Sequence, residues 1–520
     1  MAIDDPVQRP DSSRTGPVTT TDPETDPRTD GATGLATDTN ADPTADPATG
    51  TNPGGPGRGS TWGAVRPLVL RLHFYAGLLV APLLLIAATT GFLYSLSFQA
   101  EKIVYRQELR SPDSDRTAPL SQQVEAARAA HPDGEITAVW PSSESEESTR
   151  VLMTMPDSEE STSLAVFVDP HTAQIRGELD SYGGSGALPL RAWLSELHRH
   201  LHLGDPGRIY SELAASWLWV VALGGLLLWI GRRRTSKRAM LRPDRGATGR
   251  RGTLGRHGSL GLWAAAGFLV LSATGLTWST YAGVNIGAVQ DQLGGATPVV
   301  SATLKSGEGT AAGADEHEGH GAGGADGEHQ GMDIGIDNAL TAARQAGLDG
   351  PVVVKPPAED TAYVVAQRDS QFPVRLDSVA VDPGTGLIID ELRFADYPLL
   401  AKLTRYGIDA HMGITFGVVN QLVLAAVALS LILIIVWGYR MWWQRRPLQD
   451  RTWGVGRPMP RGAWRRLPVT ALLPLLAATA LVGWFVPLLG ISLLAFLVLD
   501  TVLGFVARTR AKRAEATTGT

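Results

Sequence analysis

The sequence predicts a polytopic α-helical membrane protein of about six spans, with a duplicated core and two extracytoplasmic α+β domains. The prediction rests on apolar runs of span length, on arginine-rich loops between them, and on histidine motifs that recur at fixed offsets. A span needs about 20 apolar residues. The apolar runs that suit this length are 68–98, 214–230, 260–281, 416–439 and 467–506. Because the last run is about twice the length of one span, we divide it near Pro487 and Gly490; a re-entrant hairpin is the alternative.

Two basic loops orient these spans. Residues 231–257 contain ten Lys or Arg residues and one acidic residue, and residues 440–466 contain eight and one. Loops rich in Lys and Arg stay on the cytoplasmic side of a membrane. We therefore expect a multi-pass protein of the cell (cytoplasmic) membrane, with both termini cytoplasmic and both long hydrophilic blocks outside.

The chain then divides into segments that alternate between membrane and water. The first is a tail at 1–61 that is rich in Thr, Asp, Pro and Gly, which we predict to be disordered because it has little apolar surface to bury. The other predicted segments are a first span at 62–99, an outer domain at 100–190, a histidine-bearing segment and second span at 191–231, a basic loop at 232–256, a third span at 257–282, an outer histidine-rich loop at 283–333, a second outer domain at 334–400, a histidine-bearing segment and fourth span at 401–443, a basic loop at 444–466, a pair of spans at 467–508 and a cytoplasmic tail at 509–520.

Composition limits the chemistry that the chain can carry. It contains no cysteine. This excludes disulfides, thiolate metal sites, iron–sulfur clusters and haem attached covalently through cysteine. The basic residues lie in short loops between spans, where membrane topology places them, so we expect a lipid bilayer and no nucleic acid as partner.

Four histidines occupy matching places in the duplicated core. His73 precedes Thr90-Gly91 as His257 precedes Thr274-Gly275, at an offset of 184 residues, and His198 matches His411 at an offset of 213. Two imidazoles on one iron give a six-coordinate haem that transfers electrons. Topology favours one haem b between His73 and His257 near the cytoplasmic side and a second between His198 and His411 toward the outside. Pairing within each repeat is the alternative.

Helical geometry gives a further expectation for the first pair. Eighteen residues make five turns of an ideal helix, so His73 and Gly91 should share a face, as should His257 and Gly275. We expect Asp205-Pro206 to interrupt the helix after His198. Each histidine taken alone could be an ordinary interfacial residue, and His200 or His202 could take the place of His198.

The two outer blocks also look duplicated. An Asp-Pro-x-Thr turn follows a strand-like run in each, at Asp169-Pro170 and at Asp382-Pro383, again at an offset of 213. Asp and Pro are ordinary turn residues, so the turn marks a repeat and predicts no site.

These motifs resemble those of the PepSY-associated transmembrane proteins, also called iron-regulated membrane proteins, over about residues 62–446. The residues that carry the resemblance are Leu72-His73, Leu197-His198-Arg199, Arg256-His257, His411 and Met441-Trp442-Trp443. The resemblance implies PepSY-like folds for 100–190 and 334–400. It also implies two haems and reduction of an extracytoplasmic ferric siderophore in iron acquisition. The tail, the histidine-rich loop and the last two spans depart from the simplest pattern of this family.

A histidine-rich insert follows the third span. His317, His320, His329 and Met332 lie among glycines and carboxylates. Imidazole and thioether ligands suit copper or another divalent metal, although glycine provides no preorganisation. A solvated linker is the alternative interpretation.

The sequence thus favours a dihaem b-type electron-transfer protein, and whether it is an enzyme, a transmembrane ferric-chelate reductase, stays open. No dinucleotide-binding motif is evident, so a quinol, a flavin or a cytoplasmic reductase should supply the electrons. Arg191, Arg199 and Arg208 could hold haem propionates or an anionic siderophore, or could be surface charges. The alternative function is a non-catalytic, membrane-anchored PepSY-domain protein that binds a metal or protein partner in copper handling or regulation.

Overall fold

The computed structural model describes residues 61–114, 116–159, 161–232, 238–304, 333–445 and 467–518. Over these residues the chain forms helices and a single β-sheet. The helices are α1 Thr61–Leu79, α2 Ala81–Val104, α3 Arg106–Leu109, α4 Leu120–Ala130, α5 Pro189–His200, α6 Asp205–Ile230, α7 Arg238–Leu241, α8 Gly249–Thr277, α9 Ala282–Gln292, α10 Gly335–Gln345, α11 Leu399–Met412, α12 Gly417–Trp443, α13 Val469–Phe485 and α14 Pro487–Thr518. The strands are β1 Glu135–Trp140, β2 Thr149–Thr154, β3 Thr162–Val168, β4 Ile175–Tyr182, β5 Val352–Lys355, β6 Tyr363–Gln367, β7 Ser378–Val381 and β8 Ile388–Leu392.

Long apolar helices form a bundle. Within the described ranges, five of them are long and apolar enough to cross a membrane: α2, α6, α8, α12 and the Pro487–Arg510 part of α14. The fifth predicted span, the first half of the last apolar run, corresponds to α13, which is apolar but has 17 residues. In the bundle, α6 packs against α8, and α12 packs against both α2 and α8.

The first predicted span is divided into two helices. The helix α1 ends at Leu79 and α2 begins at Ala81, with Pro82 in the first turn of α2. Proline has no backbone N–H and favours the first turn of a helix over its interior, which suits the end of one helix and the start of another here. His73 therefore lies on α1, whereas Thr90 and Gly91 lie on α2.

The last two helices form a hairpin that contacts the bundle. The helix α13 ends next to Val486, and Pro487 begins α14. The two helices touch at glycines, since a Cβ on Gly490 would lie 2.4 Å from the carbonyl oxygen of Gly483. Trp217 Nε1 of α6 donates to Ser492 Oγ at 2.9 Å, and Arg71 of α1 pairs with Asp500.

The two hydrophilic blocks build one eight-stranded sheet. Its strand order is β4-β3-β2-β1-β5-β6-β7-β8, and every neighbouring pair is antiparallel. The junction is the pairing of β1 with β5, where Val139 faces Val354. The domains predicted separately at 100–190 and 334–400 thus share one sheet.

The core of the sheet lies beneath α4 and α10. Both helices cover the same face and bury small and branched side chains against the strands, chiefly Leu120, Val124, Ala127, Ile336, Ala339, Ala343, Val139, Val151, Val166, Val354, Val365 and Val379. Alternate residues of a strand point to opposite faces of the sheet, which explains why valines recur at every second position. Asp337 of α10 caps α4, because its carboxylate accepts from Leu120 N at 2.7 Å and from Ser121 N at 3.2 Å.

The opposite face of the sheet is directed toward the bundle. Trp140, Phe167 and Leu188 are buried there against Tyr105 and Leu109, which follow α2. The short helices α5 and α11 lead from the sheet into α6 and α12. We call this end of the bundle the sheet side and the opposite end, where residues 238–248 lie, the loop side.

Candidate functional site

His73 and His257, the inner pair, meet near the loop side of the bundle. His73 lies on α1 and His257 on α8, and their ring centroids are 6.3 Å apart with an interplanar angle of 77°. The structure thus brings together the two histidines that topology paired.

Backbone carbonyl groups fix the tautomer of both inner histidines. His73 Nδ1 lies 3.0 Å from the carbonyl oxygen of Val221, and His257 Nδ1 lies 3.0 Å from that of Ile434. A carbonyl oxygen can only accept, so each Nδ1 carries the hydrogen and each Nε2 keeps its lone pair. The two acceptors are 213 residues apart, which is the offset that relates the second and fourth predicted spans.

Threonine hydroxyls fix the tautomer of His198 and His411, the outer pair. His198 Nδ1 lies 2.9 Å from Thr90 Oγ1, and His411 Nδ1 lies 2.6 Å from Thr274 Oγ1. Each hydroxyl donates its own hydrogen to a carbonyl one turn earlier, at Ile86 and at Val270. The hydroxyl oxygen therefore accepts from Nδ1–H, and Nε2 is again the unprotonated nitrogen.

The outer pair is neutral at physiological pH. His198 and His411 lie on α5 and α11, which precede the spanning helices α6 and α12. Burial lowers the pKa of His198 to about 4. Burial, followed by repulsion from His198, lowers the pKa of His411 to about 3. An uncharged imidazole is the form that ligates a metal.

Glycines pack against all four imidazole rings. A Cβ added at Gly225 would lie 2.9 Å from Cε1 of His73, and one at Gly91 would lie 3.0 Å from Cε1 of His198. In the second repeat the corresponding distances are 3.8 Å from Gly438 to His257 and 3.6 Å from Gly275 to His411. His73 and Gly91 lie on different helices, so the expectation that they share a helix face is wrong, whereas His257 and Gly275 both lie on the continuous helix α8. In both repeats the glycine packs against a histidine of the outer pair. Eighteen residues of helix span about 27 Å, so Gly91 and Gly275 pack against the histidine pair at the other end of the bundle.

The donor set fits a haem held by two histidines. Metal–imidazole bonds of about 2.0–2.1 Å on opposite sides of one atom put the ring centres roughly 6 Å apart, as in the inner pair. Ligating histidines usually donate their other N–H to a carbonyl or a similar acceptor, as all four do here. Among the described residues, no group of three or more His, Asp or Glu side chains could hold a bare metal ion.

Neighbouring polar residues of α5 have other partners. Arg191 is buried and forms a bidentate pair with Glu101, at 2.7 and 3.3 Å. Arg199 donates to the Tyr182 hydroxyl at 3.2 Å, and Arg208 is exposed. His202 Nδ1 lies 3.1 Å from Glu196, and the His200 ring lies beside that of His202, with centroids 6.2 Å apart. His198 instead bonds Thr90 of the spanning helix α2.

The histidine-rich insert lies outside the described residues, so His317, His320, His329 and Met332 stay a sequence prediction.

The sequence did not reveal the groups that orient the four histidines of the two pairs. Thr90 and Thr274 marked the repeat, but no role was assigned to them from the sequence. A hydroxyl residue at the same position in both copies was the signal that could have identified them as partners of the histidines. The sequence offers no signal for the carbonyl groups of Val221 and Ile434, because every residue has a backbone carbonyl.

Comparison with known proteins agrees with this architecture. The family model described as the PepSY-associated TM region matches residues 70–445, which include both histidine pairs and the whole sheet. No curated protein matches the chain. Because the match covers well over half of its length, the chain belongs to the PepSY-associated transmembrane family.

Proposed function

We propose that the protein is a dihaem b-type electron-transfer protein of the cell membrane, which reduces a ferric chelate such as a siderophore outside the cytoplasm. One observation carries the proposal. The rings of His73 and His257 lie 6.3 Å apart, and His198 and His411 are close enough for their charges to interact. Each of the four histidines has Nδ1 bound to an acceptor and Nε2 left for a metal. A purely structural histidine has no need of this arrangement, repeated four times at two fixed offsets.

Haem bound at these pairs would supply one-electron reduction and oxidation. His73 and His257 would hold the inner haem, and His198 and His411 the outer one. With two histidines to hold each haem, such a site would favour electron transfer over binding of oxygen or substrate. The glycines let a flat ring approach the helix backbone, and the apolar helices exclude water.

The two pairs lie at different depths of the bundle. On α6, Gly225 contacts His73, and Ala215 lies beside Gly275, which packs against His411. Ten residues of helix separate these contacts, a rise of about 15 Å, or half of a bilayer core. Loops rich in Lys and Arg stay on the cytoplasmic side of a membrane, which supports an inner pair toward the cytoplasm and a sheet outside. Electrons would then pass from the inner to the outer pair.

The proposed substrate step is a single-electron reduction. Fe³⁺ held by hard oxygen ligands accepts one electron and becomes Fe²⁺, which those ligands hold far less tightly. The electron comes from a quinol, a flavin or a cytoplasmic reductase. The sheet, which lies over the outer pair, offers the surface on which the chelate docks.

A stoichiometric reoxidation experiment tests this function. The purified protein is reduced with dithionite, freed of excess reductant and mixed anaerobically with a ferric siderophore, while a ferrous-specific dye reports the released iron. We expect about two Fe²⁺ per chain as the haem bands return to the oxidised form. His411→Ala should lower this yield, whereas His202→Ala, which alters a histidine paired with Glu196 outside the bundle, should not. A haem-loaded protein that stays reduced in the presence of the chelate would contradict the proposal.

A further inference from the structure

A cluster of arginines lies between the sheet and the outer histidine pair. The indole ring of Trp140 on β1 has a guanidinium on two sides, with Cζ of Arg150 at 4.6 Å and Cζ of Arg368 at 4.3 Å from the ring centre. Arg150 also lies over Phe167 at 5.0 Å. Aromatic faces attract a cation, but they do not neutralise its charge.

The two guanidinium groups have few anionic partners. Arg150 Nη1 donates to the carbonyl oxygen of Gly186 at 2.9 Å, and no carboxylate within the described ranges forms an ion pair with it. Arg368 has only a long contact of 3.7 Å to Glu147, and its Nε atom is buried without a hydrogen-bond partner in the described structure. Several N–H donors of this pair are therefore available to a ligand.

The electrostatics of Arg150 indicate an incomplete site. Burial, followed by repulsion from Arg368, lowers its pKa to about 9. The pKa of Arg368 is also lowered, chiefly by burial. Placing two cations together in a partly buried site is unfavourable unless an anion joins them.

The cluster approaches His198 through Arg191. The carbonyl oxygen of Gly186 accepts from Arg150 and also from Arg191, at 3.1 Å. Arg191 lies close enough to Tyr94 for its charge to act on the phenol, and Tyr94 lies one helical turn after Thr90, the hydroxyl partner of His198. Because Glu101 already neutralises Arg191, the excess positive charge belongs to Arg150 and Arg368.

The second repeat has no counterpart of Arg150. In the register of the sheet Val364 takes its place, because Val364 pairs with Ala380 as Arg150 pairs with Phe167. At the repeat offsets Thr404 stands for Arg191 and Asn285 for Glu101. Trp278 stands for Tyr94, and it packs against His411 with ring centroids 5.5 Å apart. The first repeat thus carries a half-buried arginine without a carboxylate partner among the described residues, whereas Arg405, on the same helix as His411, is neutralised by Asp409 at 2.8 Å. An arrangement that breaks an otherwise repeated structure points to a ligand on one side.

We propose that Arg150 and Arg368 form a carboxylate-binding site over Trp140, on the face of the sheet that is directed toward the bundle. This deepens the proposed function, because it places the anionic part of the electron acceptor on the same side of the sheet as the outer pair. A carboxylate is planar and accepts paired N–H donors from guanidinium groups. Two sources could supply it, a soluble carboxylate chelate or a propionate of the outer haem.

The test uses a chelate that cannot be reduced. Binding of gallium citrate to the full-length protein in detergent is measured by calorimetry, with haem loaded and with haem removed. Arg150→Gln and Arg368→Gln should each raise the dissociation constant about tenfold or more. Arg344→Gln is the matched control, since Arg344 lies on α10 and donates to the carbonyls of Leu348 and Gly350. It should leave binding within about twofold of the unaltered protein.

The two haem states distinguish the sources. Citrate binding that persists with haem loaded assigns the site to a soluble chelate. Binding that appears only after haem removal, together with faster haem loss in Arg150→Gln and Arg368→Gln, assigns it to a propionate. The proposal is overturned if neither variant differs from Arg344→Gln in citrate binding or in haem retention. Should Arg150→Gln fail to fold, Arg368→Gln decides the outcome, because its side chain is 29% exposed.

This test does not depend on electron transfer. Gallium citrate can bind to a protein that never acquires haem, so the arginine site can stand if the reductase function fails. Conversely, a haem-loaded protein that reduces ferric siderophore while both variants behave as the control would leave the proposed function in place and remove the carboxylate site.

Discussion

At the residue scale, the proposed haem sites rest on the hydrogen bond that each imidazole makes through Nδ1, which leaves Nε2 for the iron. A histidine that only fills space can adopt either tautomer, whereas these four present the same one. The acceptors differ in kind, backbone carbonyl for the inner pair and threonine hydroxyl for the outer pair. Only the hydroxyl can be removed by mutation without disturbing the backbone.

Thr90→Val should weaken haem binding at the outer site. Valine keeps the shape of threonine but removes the oxygen that accepts from His198 Nδ1–H, so the ring loses its fixed tautomer. We expect about 10- to 100-fold weaker retention of one of the two haems, measured as its rate of transfer to an apo-globin acceptor. The adjacent Thr89→Val is the control, because Thr89 bonds only its own helix, at Leu85. Equal haem loss in the two variants would contradict the role of Thr90.

Gly225→Ala should disturb the inner site more than Gly438→Ala does. A methyl group at Gly225 would meet His73 Cε1 at 2.9 Å and force the ring to move, whereas at Gly438 it would lie 3.8 Å from His257, an ordinary contact. We expect haem content to fall toward one per chain in Gly225→Ala and to stay near two in Gly438→Ala. The pyridine haemochrome assay measures both, and the reverse order would refute the close approach of glycine and ring.

At the element scale, the sequence predicted the spans and the repeats but not how they join. Hydropathy identified the long helices because a bilayer requires long apolar runs, and offsets identified the matching histidines. The break at Val80 was missed because we treated the apolar run as continuous despite Pro82. The merging of two domains into one sheet depends on β1 pairing with β5, a contact between residues over 200 positions apart that leaves no local pattern.

The role of glycine illustrates the same limit within the site. Periodicity correctly places residues 18 apart on one face of an ideal helix, yet it says nothing of which partner occupies that face at each depth. Gly91 was therefore assigned to the wrong histidine, while the pairing of His73 with His257, which rests on depth in the membrane, agrees with the distance in the structure.

His171 should make the stability of the sheet depend on pH. Its Nδ1 lies 2.5 Å from the carbonyl oxygen of Arg116 and its Nε2 lies 2.8 Å from that of Ser145, so both nitrogens must donate, which requires the charged ring. These bonds raise its pKa, with smaller contributions from Asp169 and Asp113. A raised pKa stabilises the fold fully below the unfolded value of about 6.5, and this stabilisation is lost as pH rises through the folded pKa.

The melting temperature of the protein relative to His171→Gln reports this effect. We expect the unaltered protein to have its largest advantage near pH 6 and to lose it above about pH 8. Gly384 stands at the corresponding place in the second repeat and cannot titrate, so the effect should come from one half of the sheet. An advantage that grows as pH rises would contradict the assignment.

At the scale of the whole molecule, the proposed direction of electron flow depends on which side of the membrane holds the sheet. The chain contains no cysteine, so a single introduced cysteine can be labelled without background. We expect a membrane-impermeant maleimide to label Asp157→Cys, in an exposed turn of the sheet, in intact cells. It should label Asp244→Cys, in the exposed loop between α6 and α8, only after the cells are opened. The opposite labelling pattern would put the sheet in the cytoplasm. It would therefore contradict reduction of a ferric chelate outside the cytoplasm.

The most direct test of the central claim is the haem content and optical spectrum of the purified protein, before and after dithionite. Two histidine pairs predict about two haem b per chain with sharp low-spin α and β bands. His73→Ala and His257→Ala should each remove one haem, as should His198→Ala and His411→Ala, and His73→Ala combined with His411→Ala should remove both. Protein that is produced with adequate haem supply and still purifies without haem would contradict the account.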